Sequence, residues 1–295
     1  MSSTFSRESL RERDKKMFTL VESLEDLSFL NEELLKCPYV AIDTEFRRTN
    51  KNNMKLALMQ VNDSKEIYLI DCLVIKNPKK MCSFLSSPNI RKIFHSFRED
   101  AEAIYSWTQE EVLNIYDTQV ANSLLGGSFS ISYQGLVKEK LGLKIGKEET
   151  RTNWLRRPLS EAQLNYAASD VYYLIDLYKL QKEEFSETNK LEWLEEELNR
   201  IPLLDSLLET PKEKLFSIQK REEKEILIKF NKIINEISRT EKINPTMFFS
   251  KQKQKTLINN IQSMGLDDAL NGITKWRAKL IQKPLSVLIS SYRVS

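Results

Sequence analysis

Histidine is almost missing from this chain: His95 is the only one in 295 residues. Acid/base schemes built on two histidines, and zinc sites built on three, are therefore excluded. Cysteine is scarce too. Cys37, Cys72 and Cys82 are odd in number, lack zinc-like spacing and sit beside apolar or ordinary polar residues, so they read as reduced and structural. Long apolar runs are absent. None approaches the ~20 residues of a bilayer span, which excludes membrane insertion. The opening MSSTFSRESLRERDKKM has charge with no apolar stretch behind it. Residues 1–16 read as a solvated extension, not a secretory signal, and the compartment expected is the cytoplasm. There is no internal repeat, and low complexity is confined to KQKQK at Lys251.

What is present is the composition of a globular protein, 41% hydrophobic and 29% charged. The length suits one ordinary domain of about 150 to 200 residues plus a smaller one. Charge is unevenly divided. Pro211 to Ser295 holds 17 Lys+Arg against 8 Asp+Glu, a net of +9, leaving a net of −6 for residues 1–210. A basic end beside an acidic body suits attraction for a polyanion next to carboxylates that need cations. A solvated lysine-rich surface would show the same bias.

Along the chain, MFTLVES reads as a strand and LEDLSFLNEELLKC as a helix, with Leu24, Leu27, Leu30, Leu34 and Leu35 on one face before Pro38. YVAIDTEF, KLALMQVN and EIYLIDCL follow as strands, with NKNN and NDSK as turns, an antiparallel pattern. A helix-like segment from Pro78 to Leu85, the strand RKIFHS, the helix REDAEAIYSW, the strand NIYDT and the helix QVANSLL add a parallel portion. The expectation is an α/β fold, a mixed sheet flanked by helices. One long helix is predicted over SEAQLNYAASDVYYLIDLYKLQKEEF, with Ser160 and Gln163 forming a capping box after Pro158. Beyond Leu191 the pattern is helical, with breaks at Pro202, Pro211, Pro245 and Gly265. The domain boundary is expected within Arg200 to Lys214, giving domains over 17–200 and 201–295.

Strand alternation sends Asp43 and Glu45 to one face and Thr44 to the other. Two carboxylates on one face repel each other unless a hard divalent cation sits between them; a solvated strand end or a structural pair would show the same spacing. Asp100 follows a strand and enters the first turn of a helix, a place the helix dipole alone favours. Tyr166 and Asp170 are four apart on the predicted long helix and share a face. Asp170 lies among Ala167, Ala168, Val171 and Leu174, and a lone carboxylate there needs a charge partner.

DTEF on a strand, FHSFREDAEAIY about fifty residues later, and NWLRRPLSEAQLNYAASDVYYL resemble the three exonuclease motifs of ribonuclease D, in the tyrosine-type branch of the DEDD superfamily of 3′-5′ exonucleases. The resemblance runs from about Phe18 to Leu180 and implies a ribonuclease H-like fold. It implies that Asp43, Glu45, Asp100 and Asp170 are four metal-binding carboxylates serving two ions, Mg²⁺ or Mn²⁺. Tyr166 would position the attacking water, since a phenol with an ordinary pKa of about 10 is a poor base at neutral pH. His95 and Asp100 also fit the H-x-x-x-x-D spacing of the histidine branch, but that assignment leaves the long third motif unexplained.

Phe46, His95, Arg48, Arg156 and Arg157 are the expected substrate contacts, with Arg151 a further phosphate contact. Two departures stand out. Lys51, Asn52, Asn53 and Met54 replace an aromatic-aromatic-proline stretch, and Thr152 and Asn153 replace a serine-aspartate pair. DALNGITKWRAKLIQKPLSVLI more loosely resembles the closing segment of an all-α HRDC (helicase and ribonuclease D C-terminal) domain. Lys251, Lys253, Lys255, Lys275, Arg277 and Lys279 would hold an RNA backbone there, and Trp276 reads as core. The function implied is 3′-5′ exoribonuclease action by a monomer on RNA 3′ ends, tRNA precursors among them. A Werner-type DNA exonuclease and a non-catalytic RNA-binding protein are the alternatives.

Overall fold

The computed structural model describes residues 18–50, 53–78, 80–146, 152–200 and 220–292. The proposed N-terminal extension, Lys51 and Asn52, Arg151, and the breaks at Pro202 and Pro211 lie outside them. The chain divides into two compact units. One comprises the described residues up to Tyr116 together with Tyr133–Lys179; the other comprises Asp117–Ser132 together with those from Leu180 on.

The first unit is built on a sheet in the order β1-β4-β3-β2-β5-β6, from β1 (Phe18–Val21), β2 (Tyr39–Asn50), β3 (Asn53–Asn62), β4 (Ile67–Asp71), β5 (Arg91–Phe94) and β6 (Ile115–Asp117). β2, β3 and β4 pair antiparallel, while β1 joins β4 and β5 joins β2 in parallel. The sheet is mixed, as the sequence pattern predicts. Ile42, Leu58, Met59, Val61, Leu69 and Ile93 have no exposure, and burying each such side chain contributes about 1.5–3 kcal/mol.

Helices α1 (Leu24–Leu34), α2 (Ser83–Ser86), α3 (Arg98–Thr108), α5 (Tyr133–Leu141) and α6 (Glu161–Tyr172) belong to this unit; between α3 and α5 in the chain comes α4 (Thr118–Leu124). Ser23 caps α1 by accepting from the Asp26 amide. Ser160 and Gln163 form the predicted capping box at the start of α6.

The structure departs from the sequence pattern at three places. First, β2 and β3 run past the predicted strand ends, to Asn50 and from Asn53, which pair with each other. A register shift between Glu45 and Phe46 leaves Ala57 unpaired across this ladder, the mark of a β-bulge. Second, the long predicted helix is two: α6 stops at Tyr172 and α7 (Leu174–Ser186) follows. The Tyr173 amide between them donates to the Tyr133 hydroxyl at 3.0 Å, in place of a helical carbonyl. Third, α5 escaped the sequence pattern. Cys72 and Cys82 are buried thiols and Cys37 a half-buried one, none in a disulfide.

The second unit contains α4, α8 (Leu191–Arg200), α9 (Lys220–Thr240), α10 (Pro245–Phe249), α11 (Lys251–Met264), α12 (Leu266–Asn271) and α13 (Lys275–Ser290). Trp276 is core, stacked on Trp193 at 4.8 Å and donating to Glu197 at 2.9 Å. Arg277 is buried, ion-paired with Glu197 and donating to the Phe248 and Met247 carbonyls at 2.7 Å. This corrects its expected contact with nucleic acid: the guanidinium is enclosed. Lys251, Lys253, Lys255, Lys275 and Lys279 are exposed. Among the described residues no helix is long and apolar enough to cross a membrane.

Candidate active site

β2 sends Asp43 and Glu45 to the face covered by α6. Asn62, on the same face of neighbouring β3, ties α6 down by donating to the Val171 carbonyl at 3.0 Å. Asp170 is the residue just before. Carboxylate oxygens of Asp43, Glu45 and Asp170 all lie within 4.8 Å of one another. Asp170 is buried and the other two are half-buried.

Such crowding disfavours three charges. Burial, then the Asp43, Asp170 and Asp100 charges, push Glu45 up to about 10. Burial raises Asp43 against the pull of its bond from the Thr44 amide. Burial and the Asp43 charge raise Asp170, while a bond from the Tyr166 hydroxyl lowers it. Three hard oxygen donors whose negative charge is disfavoured fit a divalent cation by donor chemistry, and the cluster can bind a metal.

Asp100 stands beside this trio, outside the close set. It is buried in the first turn of α3 and accepts from the Thr44 hydroxyl at 2.5 Å. β5 pairs only with Tyr39, Val40 and Ala41 of β2, so the later half of β2 is clear of that neighbour and open to α3. Thr44, on the opposite face from the two carboxylates it separates, thus links the fourth one to their strand. No local sequence pattern marks Thr44 for this role.

Tyr166 shares the Asp170 face of α6 through its hydroxyl bond, and its ring lies 6.2 Å from that of Trp154. His95 is half-buried at the end of β5 with its ring 6.0 Å from the Tyr133 ring, edge-on. No local sequence pattern marks Tyr133 either. Its hydroxyl donates to the Ser169 carbonyl at 3.1 Å and accepts from the Tyr173 amide, bracketing Asp170 in sequence.

The expected substrate contacts separate into kinds. Phe46 lines a groove of about 360 Å³ with Arg47, Thr152, Asn153, Trp154 and Leu155. One of the two departures from the ribonuclease D pattern, Thr152 and Asn153, therefore walls this groove. Arg156 is exposed. Arg48 is half-buried and ion-paired with Glu102 of α3 at 2.7 Å.

Arg157 is corrected outright. It grips the buried Asp71 carboxylate with two bonds of 2.5 and 2.8 Å, and donates to the Ala57, Trp154 and Arg156 carbonyls. All five guanidinium N–H groups are committed. It pins the Trp154 segment to the bulged strand and has no donor left for phosphate.

Residues 18–184 match a sequence model described as 3′-5′ exonuclease. The chain is similar to ribonuclease D of Shewanella sp. (strain ANA-3), 38% identical over 200 residues, which cover 68% of this chain and 51% of that protein. It spans about half the length of this relative. Among solved structures, Escherichia coli RNase D, described as an exoribonuclease involved in structured RNA processing, superposes with a TM-score of 0.61 at 23% identity, covering 94% of this chain and 76% of that one. Brucella melitensis NrnC with bound Mg²⁺ gives 0.55 at 22% identity, covering 68% and 98%. Both structures establish the fold.

Proposed function

The chain belongs to the 3′-5′ exonuclease family, and from that premise we propose that it is a ribonuclease D-type exoribonuclease removing nucleotides from RNA 3′ ends, those of tRNA precursors among them. The observation that carries this reading is the convergence of Asp43, Glu45 and Asp170, with Asp100 bonded to the residue between the first two.

In this reading Asp43, Glu45 and Asp170 hold a Mg²⁺ or Mn²⁺ ion and Asp100 helps to hold a second. Bound there, the ions supply positive charge at the attacking and leaving oxygens of a phosphodiester. Tyr166 orients the attacking water while its hydroxyl keeps Asp170 aligned. Phe46 and Trp154 flank the 3′-terminal nucleoside in a groove of small-ligand size. Arg156 and His95 contact the nucleotides on its 5′ side. The exposed lysines from Lys251 to Lys279 attract the RNA backbone by counterion release. The reading assigns an exonuclease domain to 17–200 and one HRDC-like module to 201–295, working as a cytoplasmic monomer.

The test is incubation with end-labelled RNA and DNA oligomers in Mg²⁺, Mn²⁺ or EDTA. Release of 5′-nucleotides from RNA 3′ ends, abolished by EDTA, is expected. Preference for DNA would replace the substrate assignment, and tight RNA binding without cleavage would refute the catalytic one.

A further inference from the structure

Gln60 lies in the middle of β3 with no solvent exposure, and neither its side-chain oxygen nor its nitrogen has a hydrogen-bond partner among the described residues. An amide enclosed this way destabilises a fold. Its neighbours make an apolar residue the natural occupant: Leu58 two positions before it, and Leu69 across the ladder on β4, are fully buried. Asn62, two positions after it on the same face, is satisfied on both sides: its nitrogen donates to the Val171 carbonyl and its oxygen accepts from the Ser64 amide.

What distinguishes Gln60 is its other cross-strand partner, which is Asp43. Directly opposed residues of an antiparallel pair project to the same face with Cβ atoms about 4.5–5.5 Å apart. The Gln60 amide is therefore within reach of the Asp43 carboxylate from the side of the sheet. Asp43 otherwise has the Thr44 amide as the bond favouring its charged form. A carboxylate that ligates a cation needs a donor on its remaining lone pairs to hold its orientation.

We propose that Gln60 is a positioning residue for Asp43: its side-chain N–H donates to the ionised Asp43 carboxylate when the site takes up a divalent cation. This rests on the cation reading of the trio given above. The amide is then an element of the metal site, maintained at a cost to the metal-free fold.

The test uses the full chain with Gln60→Met and Gln60→Leu, two apolar replacements of different shape, and Mn²⁺ as the probe. Thermal unfolding in EDTA and calorimetric titration with Mn²⁺ are measured on each. The expected result is an unfolding midpoint about 2–4 °C above wild type in EDTA for at least one variant, from relief of the buried polar group. The same variant should bind Mn²⁺ about tenfold more weakly or worse. A merely structural glutamine would instead lower the midpoint in both variants, which overturns the proposal. Unchanged Mn²⁺ affinity beside a wild type that binds overturns it while leaving the cation reading intact. A wild type that takes up no Mn²⁺ overturns both.

Discussion

Replacing Asp43 by asparagine should make the metal-free protein more stable. The carboxyl moves from an ordinary 3.8 to about 7 on folding, and roughly three pK units at 1.36 kcal/mol each bound the penalty at about 4 kcal/mol. Solvent reaching its half-buried position and the sharing of protons with Asp170 reduce this to about 2 kcal/mol. The penalty has a defined pH window. Because the folded pKa lies above the unfolded one, stability present near pH 4 is lost as pH rises toward 7, and the loss levels off beyond it. Asparagine is neutral in both states and escapes it. The advantage of Asp43→Asn in EDTA should therefore start near zero at about pH 4 and reach about 4–8 °C in unfolding midpoint by about pH 8. Saturating Mn²⁺ should reverse the ranking, because only wild type keeps the full ligand set. Circular dichroism melts across that pH range, with and without Mn²⁺, measure all of this. An asparagine variant no more stable than wild type at pH 8 in EDTA, or one gaining as much from Mn²⁺, would refute the reasoning.

Two further outcomes are expected. Tyr166→Phe keeps the ring and removes the hydroxyl bonded to Asp170, so steady-state RNA hydrolysis should show kcat roughly 100-fold lower with KM little changed; an unaltered kcat would remove Tyr166 from the site. Arg157→Ala leaves the buried Asp71 carboxylate unpaired, which should lower stability in urea unfolding by about 3 kcal/mol. The KM for RNA should hold in the folded fraction, and a raised KM at unchanged stability would restore Arg157 as a phosphate contact.

Local rules carried the pattern of the site, and distant partners escaped it. Strand alternation suffices to place Asp43 and Glu45 on one face, and a four-residue helical step suffices to align Tyr166 with Asp170. Both rules operate within a few residues. The fate of an arginine does not follow from such rules. Arg156 and Arg157 are adjacent and chemically alike, yet one is exposed while the other is tied to Asp71, 86 residues away in sequence. The break between α6 and α7 was hidden for the same reason, since the hydroxyl that takes the Tyr173 amide comes from Tyr133, 40 residues earlier. Gln60 shows the opposite case: its strand was legible, but its lack of a partner among the described residues becomes visible only once its neighbours are in place.

The bulge in β3 separates what is fixed in this hairpin from what is free to vary. Below it, the rows Asp43–Gln60–Leu69 and Glu45–Leu58–Asp71 are each clamped across three strands. Above it, the pairing of Phe46 with Leu56 through Arg48 with Met54 belongs to β2 and β3 alone. Ala57, which the ladder with β2 skips and whose carbonyl accepts from Arg157 and from the Cys72 amide, takes up the offset: residues gained, lost or exchanged beyond the Arg48–Met54 pair leave the phase of the carboxylates untouched. The hairpin tip is thus a module that can diverge, or accept a graft, independently of the chemistry at its base.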